Sequence, residues 1–187
     1  MMKNYLSGII LIMMICSLFG CQQYTENTAG QNREETDKGF AEPEPSDWVK
    51  YNKLILQYMY YRTQAVQQND ITVLWNKYPD LKVNKDHQKG INVEKDEVES
   101  LNNGRKWIDA NYSIESHERM KVKTVNEEEA IVLVHGGINY ISNDFDEAGG
   151  EVLIEISLKL KNNHWTVVQT DEYTELEYKE WMQKQAK

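Results

Sequence analysis

Apolar residues recur at two different periods along this chain, and the change of period divides it. From Trp48 onward, Tyr51, Ile55, Tyr58, Arg62 and Ala65 follow at spacings of three and four, with Leu54, Met59 and Val66 beside them. That is one wide helical face. It predicts a helix capped by Ser46 or Asp47 and stopping near Asn69-Asp70. Asp70 then caps a second, shorter helix carrying Val73, Leu74, Trp75 and Tyr78, which Pro79 ends. Residues 82–95 are polar, contain Gly90 and read as a loop. A third helix is expected within 95–110, burying Val98, Leu101, Trp107 and Ile108, with Asn103-Gly104 as its weak point.

Beyond residue 113 the period falls from 3.6 to 2. In Ile114 to Val125, Met120, Val122 and Thr124 alternate with Lys121 and Lys123, and Asn126 to Glu129 reads as a turn. Ala130 to Ile141 is a long apolar strand, and the Gly136-Gly137 pair inside it fits a bulge. Gly149-Gly150 ends the next connection. Val152, Ile154, Ile156, Leu158 and Leu160 then alternate with Leu153, Glu155, Ser157 and Lys159, which makes a strand with one face buried. Asn162-Asn163 supplies a hairpin turn, Trp165 to Thr170 returns as the last strand, and 174–186 reads as a short charged helix. Helices first, followed by a meander of about four antiparallel strands, give an α+β class. No internal repeat is present.

The N-terminus carries a third pattern. After Lys3, an uncharged, largely apolar run extends from Leu6 to Phe19 and ends at Gly20-Cys21. A spanning helix needs about 20 apolar residues, so this shorter run has the shape of a signal peptide's apolar region. An uncleaved anchor helix is the alternative, and Lys3 would then keep the N-terminus inside. Residues 22–46 are poor in apolar side chains and rich in turn formers, a composition that cannot offset ordering entropy. They read as a flexible tether from residue 21 to residue 46, with a coil-like reach of roughly 25–30 Å, stiffened at its end by Pro43 and Pro45.

Composition narrows the partners. The 187-residue chain has a formal net charge of -9, with 40% hydrophobic and 27% charged residues. Lys3 is the only charge before Cys21, so cleavage there leaves a still more acidic body. Such a body repels phosphate backbones and anionic lipid surfaces. No nucleic-acid partner is expected, and any membrane attachment needs a hydrophobic cause. The two cysteines are Cys16 and Cys21. A chain cut before Cys21 keeps one thiol and forms no internal disulfide.

The ending Leu18-Phe19-Gly20-Cys21 resembles the lipobox of bacterial lipoproteins, although Phe19 departs from the small or β-branched residue usual at that position. The resemblance implies a signal peptide over 1–20, cleavage after Gly20 and diacylglycerol on the Cys21 thiol. Two acyl chains hold a protein stably on a bilayer where one does so marginally. The expected location is the extracytoplasmic face of the cell membrane.

The stretch from Tyr58 to Pro79, with its helix, polar break at Asn69-Asp70 and second helix ending in Tyr78-Pro79, resembles the opening of the nuclear-transport-factor-2-like superfamily. The strand order that follows is also similar. This implies a cone over 47–187, in which a curved sheet wraps a long first helix and leaves a pocket. A bent two-layer sandwich would give the same pattern. Because the fold hosts enzymes and non-enzymes alike, it does not decide function.

Few residues suggest chemistry. His135 shares its strand parity with Ile131 and Leu133, and an inward orientation would place it in the cone. Members of the superfamily use a pocket His or Asp as a base; backbone bonding beside two glycines is the competing reading. Glu115, His117 and Arg119 share one strand face, either a polar pocket wall or a solvated surface. His87 and His164 lie in polar turns. Asp144, Asp146 and Glu147 alternate in a loop without the glycine and closing glutamate of a calcium site. No zinc spacing, nucleophile elbow or phosphate loop appears, so no metal or cofactor is expected. The aromatic residues Tyr58, Tyr61, Trp75 and Trp107, with His135, are the pocket candidates, though filling a helix-on-sheet core would account for the aromatics equally. Tyr60 and Tyr61 are about 100° apart on a helix and cannot both face a core.

Three functions remain in view: a membrane-tethered, non-catalytic domain binding an envelope protein or small ligand; an isomerase or dehydratase-type enzyme using His135 as base; and an accessory subunit of a secretion or conjugation apparatus. The terminal helix or an open sheet edge offers a homodimer surface.

Overall fold

The structure, a computed structural model, describes residues 39–87, 89–114, 120–174, 176–177, 179–180 and 183. The export segment, Cys21, most of the tether, and Glu115, His117 and Arg119 lie outside the described residues.

The first helix, α1, spans Pro45–Gln68. It opens on Pro45 rather than on a Ser46 or Asp47 cap: Glu44 is the flanking residue and contributes no side-chain cap bond. Proline suits this first position because its missing N–H had no helical partner to lose. Asn69 closes α1 in the left-handed conformation at φ 51°. The Asp70 carboxylate then accepts from the backbone N–H and hydroxyl of Thr72 (2.9 and 2.7 Å), starting α2, Thr72–Lys77. Pro79 begins a 3₁₀ turn, Pro79–Val83, which runs into the start of the loop expected over 82–95. The third helix, α3, is Val93–Leu101. It stops at Asn102, short of Trp107 and Ile108, because the chain turns at Gly104 with φ +79°.

Five antiparallel strands follow, in keeping with the expected meander of about four and with β1 as the addition: β1 Trp107–Ile114, β2 Met120–Asn126, β3 Glu129–Ser142, β4 Glu147–Lys161 and β5 His164–Tyr173. The sheet runs β1-β3-β4-β5, with β2 pairing the other half of β3 beside β1. Trp107 is buried as expected, but from a strand, while Ile108 faces solvent. Gly136-Gly137 is not a bulge. Both residues pair in register with β1 and β4, and a Cβ on Gly136 would sit 2.5 Å from the Ser113 carbonyl oxygen, so glycine lets the strands approach. The backbone irregularity falls instead on Gly149, at φ +125°, within a strand that runs through Gly149-Gly150 rather than starting after them. The hairpin at Asn162-Asn163 has positive φ at both residues (51° and 62°), the signature of a type I′ turn.

Even-numbered residues of β3 and β4 face α1. Val132, Val134, Ile138 and Tyr140 meet Ile154, Ile156 and Leu158 there, and Tyr51, Ile55, Tyr58 and Met59 of α1 pack upon them. The opposite face carries a smaller cluster of Leu133, Leu153 and Tyr173, with Phe40 laid against it. Phe40 belongs to a strap, residues 39–44, in which Ala41 exchanges two backbone hydrogen bonds with Val122 (2.9 and 2.7 Å) and Glu42 meets Lys121 at 3.1 Å. After β5, the Thr174 hydroxyl and Glu177 carboxylate satisfy each other's backbone N–H groups, a capping box where the charged terminal helix was expected. No helix among the described residues is long and apolar enough to cross a membrane.

Candidate functional site

Four elements converge on one buried charge. Arg62 stands one turn after Tyr58 on the inward face of α1 and is only 3% exposed. Glu94 and Glu97 stand one turn apart on α3. That helix is pinned by Asn92, whose side chain accepts from Lys95 N (2.9 Å) and donates to the carbonyls of Leu81 and Asn84 (2.7 and 3.1 Å). Thr170 and Glu172 alternate along β5, and Tyr140 rises from β3.

The guanidinium holds this group together. Arg62 Nε donates to Glu97 Oε2 at 2.6 Å and Nη1 to Glu172 Oε1 at 2.7 Å. Nη1 also approaches the Tyr58 hydroxyl at 3.4 Å, and that hydroxyl donates to Glu94 Oε1 at 3.0 Å. Thr170 donates to the same Glu94 oxygen. The Tyr140 hydroxyl donates to Glu97 Oε1 at 3.0 Å. One cation thus bonds two carboxylates directly and reaches a third, Glu94, only through the Tyr58 hydroxyl; Glu94, fully buried, keeps an Oε2 with no partner among the described residues. Burial pushes the Glu97 carboxyl above its ordinary range against the pull of Arg62. Burial, then the neighbouring carboxylates, also push the Tyr58 and Tyr140 hydroxyls well up. Burial opposes the charge on Arg62, but Glu172 and Glu97 outweigh it and hold the guanidinium protonated.

This network floors one end of an open cleft of about 370 Å³. Arg62, Glu97 and Glu172 contribute polar groups to its lining; Ile91, Val93, Leu101, Ile138 and Val152 contribute apolar ones; Lys89, Asp96 and Glu151 also line it. Two adjacent glycines of β4 complete it, for different reasons. A Cβ on Gly149 would lie 2.0 Å from the Ile138 carbonyl oxygen, whereas one on Gly150 would meet nothing within 4 Å.

None of the five pocket candidates read from the sequence lines this cleft. Tyr58 is core and supports it from beneath. Tyr61 is half-buried, edge-on to Tyr78 and Tyr60, while Tyr60 is the exposed one of the pair. Trp75 packs half-buried against the core. Trp107 is buried beside Tyr140 and donates its Nε1 to Leu101 O at 3.0 Å. His135 lies on the outer face of β3, opposite Leu153, because the residues of its parity point away from α1. It is therefore not in the cone. His87 lies near Asp171, its backbone N–H donating to that carboxylate at 3.2 Å, and His164 Nδ1 contacts the Asn162 carbonyl at 2.8 Å. Ser142 Oγ accepts from Asp144 N and Asp146 N, closing their loop as a hairpin tip. Among the described residues no cluster of His, Cys, Asp or Glu could hold a metal ion. Arg62 was visible in the sequence as a charge on an otherwise apolar stripe. Glu97 and Glu172 carried no signal, since each sits among other acids.

No protein-family model matches the chain, and no curated protein matches it. Solved structures do. Aln2 from a Streptomyces species superposes with a TM-score of 0.50 at 8% identity, over 79% of this chain and 100% of that one. A Nostoc punctiforme protein with a cystatin-like fold gives 0.44 at 9% identity, over 71% and 93%. The association domain of C. elegans CaMKII gives 0.46 at 12%, over 70% and 100%. The fold is the nuclear-transport-factor-2-like, or cystatin-like, cone. Identities this low speak for the fold alone. In this cone the cleft is bounded by α1, α3 and the β3–β5 half of the sheet.

Proposed function

We propose that this chain is a bacterial lipoprotein, cleaved after Gly20 and held by lipid on Cys21 at the extracytoplasmic face of the cell membrane, whose cone is a non-catalytic binding domain. The first half rests on the apolar run ending in Leu18-Phe19-Gly20-Cys21. The second rests on how the cleft's charges are used. Both Glu97 oxygens accept hydrogen bonds, from Arg62 and from Tyr140, and Arg62 is bonded to two carboxylates. A general base must be within reach of the proton it takes and able to hand that proton on. Glu97, already bonded at both oxygens, is better suited to fixing a recognition surface than to taking up a proton. The bound partner is a small ligand or a segment of an envelope protein, not nucleic acid.

Labelling cells with an alkyne fatty acid tests the anchor: the full-length chain should incorporate it and Cys21→Ala should not. Finding the chain unlabelled, at full length and in the cytosol, defeats the membrane half of the reading. Gly150→Leu tests the binding half. It should release whatever co-purifies with the full chain while leaving its melting temperature in place.

A further inference from the structure

We propose that the cleft takes a ligand bearing a primary ammonium group on a short apolar body. The inference rests on the reading of this domain as a binding module and specifies what it binds. The cleft offers acceptors. Glu172 spends Oε1 on Arg62, and its Oε2 makes no hydrogen bond among the described residues, while the side chain keeps 20% exposure at the cleft. Arg62 does not invite an anion: its charge is buried and already matched by Glu97 and Glu172. Across all lining residues, Asp96, Glu97, Glu151 and Glu172 outnumber Arg62 and Lys89, which leaves a net negative field. An ammonium donor needs this arrangement: a partly desolvated carboxylate oxygen with an open lone pair. The lining also carries Ile91, Val93, Leu101, Ile138 and Val152, and the volume equals about a dozen waters, which suits a compact apolar body. A side chain at Gly150 would compete for that space, since the position lines the cleft, opens on empty space and has a φ ordinary for any residue.

The test is isothermal titration of the full-length chain in phosphatidylcholine nanodiscs with butylammonium, sodium butanoate and 1-butanol, against empty nanodiscs. Butylammonium should saturate one site, with the other two at least about tenfold weaker, a ratio in keeping with one charge-assisted hydrogen bond. Glu172→Gln should weaken butylammonium about tenfold. Should that variant fold poorly, Asp96→Asn combined with Glu151→Gln, both exposed, should weaken it several-fold. Gly150→Leu should abolish it. Butanoate binding as tightly as butylammonium overturns the proposal, as does butylammonium binding that is absent or indifferent to Gly150→Leu. Butanoate binding that Gly150→Leu removes would sink the ammonium inference yet leave the binding-module reading intact.

Discussion

Arg62 is the side chain on which most else depends. Its charge is tolerable in the interior because two carboxylates face it at hydrogen-bond distance. Removing one partner of a buried pair strands the others, so Arg62→Ala should destabilise by about 3–5 kcal/mol in urea unfolding. A loss under about 1 kcal/mol would mean the pair is effectively solvated. Tyr78 gives the opposite case. Its hydroxyl is buried without a partner among the described residues, so Tyr78→Phe should be neutral or stabilising. The tyrosines also set an alkaline limit. Burial raises the hydroxyls of Tyr58, Tyr78 and Tyr140 above the usual 10.0. An acid whose folded pKa is raised keeps its proton better in the folded state. Its contribution is therefore complete below about pH 10 and lost as pH climbs through the raised value. Urea midpoints should fall well above about pH 10, and Tyr78→Phe should flatten that fall.

At the scale of elements, the β4 glycines make adjacent positions behave differently. Gly149→Ala puts a methyl into a carbonyl and an unfavourable φ on alanine, and should destabilise by about 3 kcal/mol or more. Gly150→Ala should not measurably alter the thermal midpoint, because its Cβ enters open space. Equal effects at both positions would contradict this register. How far these elements could be read beforehand depended on how local their causes are. The long face of α1, the Asp70 turn, the Asn162-Asn163 hairpin and the alternation from Val152 to Leu160 are set by neighbours in sequence, and all were legible. The first half of β1, up to residue 110, was read as helix because Trp107, Ile108 and Leu101 also satisfy a 3.6 period; only pairing with β3 decides between the two. Gly149-Gly150 looked like punctuation, and β3 makes it strand. The cleft was hidden for the same reason. Arg62 and Glu172 lie 110 residues apart, and no periodicity links them.

The whole molecule has two apolar centres of unequal size. The larger lies between α1 and the sheet, and the smaller, beneath Phe40, seals the far face. The strap bearing Phe40 joins the domain through the bridge from Ala41 to Val122, the Glu42–Lys121 ion pair and the packing of Phe40 itself. Ala41→Pro removes a bonded N–H. It should speed hydrogen exchange at the Val122 amide while exchange in β4 stays slow; unchanged exchange at Val122 would show that the strap contributes no protection.

Ribosomes deliver a polypeptide from its first residue to its last, and Arg62 must wait for Glu172. Until that late glutamate arrives, the long amphipathic helix has only Glu97 of its two counter-charges and lacks the last staves of the surface it rests on. Nascent chains halted before residue 172 should therefore be clients for chaperones rather than partly finished domains. A protease pulse on stalled translation products would register the moment of closure as a single step near the end of synthesis.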